Sequence, residues 1–233
     1  MPNSVFLPIA AVSSIGCIFF AVFFMRAYKQ SSFAKAFWLK GVAAACFVLL
    51  GAILATRGHH SAYGRLVLVG LILGLCGDEL LALRFLVPKL HDAFFALGAA
   101  TFAVGHLFYI KALYDLGVIR PVVLIPVFLV GVAVANLYGK HQGSHAGHLQ
   151  IPAVAYMVLV IFMGAVSIAA FAGAPGLGLL LFAIGGISFG CSDNILFANC
   201  FGKNQSWSKN VWIHVTYYGA QLLIAWSIFF LTM

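Results

Sequence analysis

The chain has 233 residues, of which 64% are hydrophobic and 8% charged, and it carries a formal net charge of +8. No water-soluble domain holds that balance, so composition alone predicts a polytopic membrane protein. The positive charge does not point to nucleic acid, because most Lys and Arg fall in short connections, where they orient a membrane chain and meet anionic head groups.

Apolar runs of about 18 to 25 residues mark helices able to cross a bilayer. In chain order they lie near 5–25, 37–55, 65–84, 92–114, 121–138, 149–172, 176–200 and 210–232. The expected fold is an all-α integral membrane protein of eight transmembrane helices forming one domain over 1–233. The first run lacks a basic leader and is long enough to remain as a span, so no cleaved signal peptide is expected. No connection can hold a soluble domain; the longest polar stretch, Tyr138 to Gln150, reads as a His- and Gly-rich loop. The cysteines at 17, 46, 76, 191 and 200 fall in or beside apolar runs and read as small buried hydrophobes rather than a disulfide framework.

The basic residues divide by connection. Arg26, Lys29, Lys35 and Lys40 flank the first, Arg84 and Lys89 the third, Lys140 the fifth, and Lys203 and Lys209 the seventh. Only Arg57, Arg65, Lys111 and Arg120 fall on the other side. Basic residues concentrate in cytoplasmic loops, so both termini are expected outside the cytoplasm.

Two aspartates interrupt the apolar runs in nearly the same setting, Cys76-Gly77-Asp78-Glu79-Leu80-Leu81 and Cys191-Ser192-Asp193-Asn194-Ile195-Leu196. A carboxyl group in hydrocarbon is costly, so each marks a functional site by default. Shifting the chain by the interval between Asp78 and Asp193 also overlays Thr101-Phe102 on Thr216-Tyr217, His106 on Gln221 and Leu107 on Leu222. That offset is close to half the chain and suggests repeat halves 1–117 and 118–233, parallel because four spans preserve direction. Asp78 precedes Arg84 by six residues and Asp193 precedes Cys200 by seven. Both carboxyls are therefore expected roughly 10 Å inside the cytoplasmic boundary, facing one cavity across a pseudo-twofold axis. Gly70, Gly74 and Gly77 precede Asp78, and Gly185, Gly186 and Gly190 precede Asp193; such small residues let helices pack closely.

Other polar groups within spans need partners. His106 and Tyr109 share a helix face, Asn199 follows Asp193, Ser192 adjoins it, and Tyr217, Tyr218 and Gln221 lie in the last span. They are candidates for a hydrogen-bonded shell that holds the carboxyls and a polar part of a substrate. The competing reading is interhelical glue. Glu79, about 100° around the helix from Asp78, is placed to line the cavity or to reach toward the interface. Two carboxyls sharing a low-dielectric site do not both ionise easily, so one is expected to keep its proton. A neutral acid beside an ionised partner suits acid-catalysed cleavage through an oxocarbenium-like state. His141, His145 and His148, and likewise His59-His60, have metal-like spacing but lie in loops without Cys or carboxylate partners, and read as solvated. No metal or other cofactor is expected.

The sequence resembles the YhhN-like membrane family, which includes the lysoplasmalogenases. The residues that carry the likeness run from Gly77-Asp78 through Gly105-His106-Leu107-Phe108-Tyr109 and Phe189-Gly190-Cys191-Ser192-Asp193 to Asn199 and Thr216-Tyr217-Tyr218-Gly219-Ala220-Gln221. They span the last two thirds of the chain, and the first two spans carry no motif. The resemblance implies an eight-helix, metal-independent enzyme that hydrolyses the vinyl ether bond of 1-alkenyl lysophospholipids. Its products would be a fatty aldehyde and glycerophosphoethanolamine or glycerophosphocholine, and Asp78 and Asp193 would be the catalytic groups. Asp193 is favoured as the acid because Ser192 and Asn199 adjoin it and Glu79 adjoins Asp78. The partners expected are the lysophospholipid substrate and membrane lipid, with its phosphate near Arg84, Lys89, Lys203 or Lys209. Three alternatives stand: a metal-dependent membrane lipid hydrolase, a proton-coupled transporter, and a non-enzymatic lipid-binding or scaffold protein. Paired intramembrane acids and parallel repeats also describe transporters, although no Pro-interrupted half-helices are seen at matching places.

Overall fold

The computed structural model describes residues 3–57 and 60–231, so His59 lies outside the described residues. Eight long helices account for nearly all of them: α1 (Asn3–Lys29), α2 (Phe33–Ala55), α3 (Ser61–Leu86), α4 (His91–Tyr114), α5 (Pro121–Gln142), α6 (Gln150–Gly173), α7 (Leu177–Phe201) and α8 (Trp207–Phe230). All eight are long and apolar enough to cross a membrane, and the chain is a multi-pass membrane protein. Short 3-10 turns, Pro88–Leu90 and Gly147–Leu149, lead into α4 and α6.

Local chemistry sets the ends. Pro121 opens α5, where its missing N–H costs nothing. The helix then runs past the expected end at 138, through Tyr138 and His141, until Gly143 closes it at φ +62°. That left-handed cap is tolerated because glycine has no Cβ. The expected loop is therefore partly helix, because polar residues beyond the apolar core can still extend a helix into the aqueous boundary. Ser206 caps α8 by accepting a hydrogen bond from the Lys209 N–H.

Neighbouring helices pack in sequence within each half: α1 on α2, α2 on α3, α3 on α4, and likewise α5 on α6, α6 on α7, α7 on α8. The halves meet where α4 packs on α6 and α8 packs on α2. These packings correspond when the chain is shifted by half its length, and so do the bounds of α1–α4 with those of α5–α8. Pro8 and Pro126 fall at the same place within α1 and α5, and both helices continue through them unbroken. The prolines thus do occur at matching places, without dividing either helix. The halves also differ: α1 packs on α8 as well as α2, whereas α5 has no buried residue and stays at the periphery.

Glycines set the closest approaches. Gly77 faces the Phe102 ring and Gly70 the Tyr109 ring, while Gly105 lies against the backbone of Gly70. Gly74 faces the Gln221 amide, so this small residue makes room for a polar group. The cysteines depart from expectation. Cys17 is buried, but Cys76 and Cys191 face the outside of the bundle. Each stands two positions before an inward-facing aspartate, about 200° around the helix.

Candidate functional site

Asp78 and Asp193 are both buried, 3% and 6% exposed, on α3 and α7. They line one open-mouthed cavity of about 70 Å³. Its walls come from α1, α2, α3, α4, α7 and α8, and much of its surface is aromatic: Phe24, Phe33, Phe37, Phe85 and Phe102. Two chemically similar carboxyls therefore meet the same space, but each is held differently.

Asp78 is held by a cation. Lys40, two turns into α2, places Nζ 2.9 Å from Asp78 Oδ1. The same ammonium donates to the Asp78 backbone carbonyl at 3.0 Å. Lys40 is only 7% exposed. It was expected to flank the first connection as a charge that orients the chain; it is instead an intramembrane ion-pair partner. Removing it from the loop count leaves eight basic residues against four, so the asymmetry keeps its sign. Tyr217 of α8 lines the same cavity without a hydrogen bond to Asp78. Asp78 Oδ2 has no hydrogen-bonded partner among the described residues.

Asp193 is held by a hydroxyl. Tyr156 of α6 donates a short hydrogen bond to Asp193 Oδ2, and no cation lies within ion-pair distance of this carboxyl among the described residues. Lys40 and Tyr156 occupy corresponding places on α2 and α6, the helices preceding those that carry the aspartates. Corresponding positions on the preceding helices thus supply partners unlike in charge.

Two hydrogen-bond chains begin on α4, one reaching Asp193 and the other ending at Tyr217 in the cavity wall. His106 Nε2 lies 3.4 Å from the Tyr156 oxygen. The Tyr156 proton is already given to Asp193, so the imidazole must be the donor in that contact. Three residues further on, the Tyr109 hydroxyl donates to Gln221 Oε1 at 2.9 Å, and Gln221 Nε2 donates to the Tyr217 oxygen at 3.1 Å. Spacing of three on a helix puts both groups on one face. The segment His106 to Tyr109 therefore supports Asp193 through α6 and the cavity-lining Tyr217 through α8.

The remaining expected residues divide. Ser192 and Tyr217 line the cavity with the aspartates. Ser192, however, spends its proton on the Ile213 carbonyl at 2.9 Å, tying α7 to α8. Asn199 lies in an adjoining vestibule, donating to Asn210 Oδ1 at 3.2 Å and accepting from the Ser206 N–H at 2.9 Å. Neither reaches Asp193, so the sequence-based grounds for its role as the acid do not hold. Glu79 lines neither space; its carboxyl packs against Gly41 of α2. Tyr218 stacks on His214 and packs beside Phe47, with its hydroxyl unpartnered among the described residues. His106, Tyr109 and Gln221 stand behind the cavity wall as supports.

Residues not singled out beforehand also enter the site. Besides Lys40 and Tyr156, His214 lines the cavity, its Nδ1 against the Asn210 carbonyl oxygen at 2.7 Å. A carbonyl only accepts, so Nδ1 carries the proton. Lone polar residues in apolar runs were the available signal for all three. Among the described residues no three His, Cys, Asp or Glu side chains gather as a metal-ligand set. His148 turns toward Asp92 at 3.4 Å, and Asp92 also contacts His91 at 3.0 Å.

Among known families, the YhhN family matches over residues 36–228. The match opens at the start of α2 and so takes in Lys40, extending earlier than the quoted motif residues. No curated protein and no solved structure matches the chain.

Proposed function

The chain belongs to the YhhN family, and we propose that it is a lysoplasmalogenase, hydrolysing the vinyl ether bond of 1-alkenyl lysophospholipids. The observation that carries this reading is the unlike pair of acids on one apolar-walled cavity: Asp78 ion-paired to Lys40, and Asp193 hydrogen-bonded by Tyr156 with no cation beside it. A cation in contact favours the ionised carboxylate, whereas a buried carboxyl without one favours the neutral acid.

In the proposed reaction Asp193 gives its proton to the alkene carbon remote from oxygen, and the π electrons form the new C–H bond. The adjacent carbon becomes an oxocarbenium ion, which the Asp78 carboxylate stabilises. Water adds to that carbon as Asp78 takes its proton, giving a hemiacetal. The hemiacetal hydroxyl then returns a proton to Asp193 while Asp78 protonates the departing glycerol oxygen. The C–O bond breaks, aldehyde and glycerophospholipid head leave, and both acids regain their starting states with one water consumed. The aromatic wall formed by Phe24, Phe33, Phe37 and Phe102 suits the alkenyl chain.

The test is aldehyde release from a 1-alkenyl lysophospholipid by purified protein in detergent, with chelator present. Wild type is expected to release aldehyde, and Asp78→Asn and Asp193→Asn, each folded, to lose at least ~100-fold of the rate, as loss of acid–base catalysis does. A folded wild type that releases none would sink the reading.

A further inference from the structure

A second space adjoins the cavity. This vestibule has a volume of about 510 Å³ between the end of α3, the start of α4 and the α7–α8 connection. Tyr28, Arg84, Phe85, Leu196 and Asn210 line both spaces and form the neck between them. Arg84 is the only basic residue shared by both linings.

Arg84 is unusual in having no counter-charge. It is 9% exposed, and its Nε makes no hydrogen bond among the described residues. Both terminal nitrogens touch only the Cys200 sulfur, at 4.0 Å, a weak acceptor. The guanidinium is sandwiched by Phe85 and Phe95, 4.6 and 5.1 Å from their centroids. Of the chain's five acids, Asp78 pairs with Lys40, Asp92 with His91 and His148, and Asp115 with Lys111. Asp193 accepts from Tyr156, and Glu79 packs on Gly41. None reaches Arg84. A buried, unpaired guanidinium is costly, and its planar fork matches the oxygens of a phosphate.

We propose that Arg84 is the receptor for the phosphodiester of a single-chain phospholipid, set in the neck so that the head group fills the vestibule while the chain lies in the cavity. This rests on the reading of the cavity as a lysolipid site and specifies how that site measures its substrate. Arg84 follows Asp78 by six residues on α3, a rise of about 9 Å. From the vinyl ether carbon through the glycerol backbone to phosphorus is six bonds, roughly 7–8 Å when extended. Along the helix axis Arg84 thus stands beyond Asp78 by about the reach from scissile group to phosphate in one lipid. The other expected phosphate ligands are turned elsewhere: Lys209 donates to Gln142 Oε1 and the Asn204 carbonyl, Lys203 lies against Gly143, and Lys89 is exposed outside the vestibule lining.

The experiment measures equilibrium binding of two saturated ligands to purified protein in a neutral detergent: a 1-alkyl lysophospholipid and the matching 1-alkyl glycerol. Neither contains a vinyl ether, so the result stands whether or not the protein hydrolyses one. Arg84→Gln is expected to weaken the lysophospholipid at least ten-fold and leave the alkyl glycerol unchanged, which also reports an intact fold. Arg84→Lys, which keeps the charge without the fork, is expected to fall between. Equal loss of both ligands, or no loss of either, overturns the proposal. So does Arg84→Lys binding as wild type if Arg84→Gln does not fold. Inorganic phosphate is the last arm: if it displaces the lysophospholipid at the lipid's own concentration, the site takes a free anion and the head-group assignment fails.

Discussion

Lys40 is the residue whose removal distinguishes a structural ion pair from a working one. Lys40→Met would leave Asp78 charged and buried without its partner, and breaking a buried pair this way costs about 3–5 kcal/mol. A marked drop in melting temperature in detergent is expected, and adding Asp78→Asn in the same chain should recover much of it, because the uncompensated charge is then gone. If the double variant melts no higher than Lys40→Met, Lys40 contributes mainly through packing. Tyr156→Phe is the counterpart for Asp193. It removes the donor on Oδ2 and strands the His106 N–H, so aldehyde release should fall ~10-fold or more with elution as a folded monodisperse species retained. An unchanged rate would separate Tyr156 from the chemistry.

At the scale of the helix, α3 carries both the acid and the small residues that let its supports approach. A Cβ at Gly74 would collide with the Gln221 amide. Gly74→Val should therefore destabilise by about 1–3 kcal/mol as overpacking does and break the chain from Tyr109 through Gln221 to Tyr217. Gly219 of α8 meets nothing within 4 Å of an added Cβ. Gly219→Ala should be neutral or stabilise by about 0.5–1 kcal/mol, since glycine inside a helix is unfavourable. Melting temperatures of the two variants check both signs. The short segment of α4 from His106 to Tyr109 gains its meaning here as well. Read alone it is an apolar run with two polar groups; packed between α6 and α8 it becomes the shared origin of both donor chains.

For the whole molecule, eight spans bring both termini to one face, and the vestibule opens at the opposite face, among the ends of α3 and α7 and the starts of α4 and α8. The bias of basic residues predicts that this face is the cytoplasmic one. Cysteines introduced singly near residue 3 and near residue 205, in a Cys-free background, should react oppositely with a membrane-impermeant thiol reagent on intact cells: the first labelled, the second protected until the membrane is opened. The reverse pattern would put the vestibule on the outer side and require the lysolipid to arrive from the outer leaflet.

Helix number, the all-α class and the two acids were legible in the chain itself, because apolar length is a local property and a carboxyl in an apolar run is conspicuous wherever the chain folds. The shared cavity was inferable too, from two matching contexts set half a chain apart. The partner of each acid was not. Lys40 sits near the start of an apolar run, where its number suggests a loop flank, and Tyr156 sits among apolar residues where an aromatic is unremarkable. Only the packing of α2 on α3 and of α6 on α7 turns one into a counter-ion and the other into a hydrogen-bond donor. The same holds for Ser192, Asn199 and Glu79, close to the acids along the chain yet bonded elsewhere, and for Arg84, whose isolation from every carboxylate exists only in three dimensions. Sequence by itself determined what must be buried, since hydrocarbon admits only apolar helices; tertiary structure decided what each buried polar group faces, since partners in a helical bundle come from other helices.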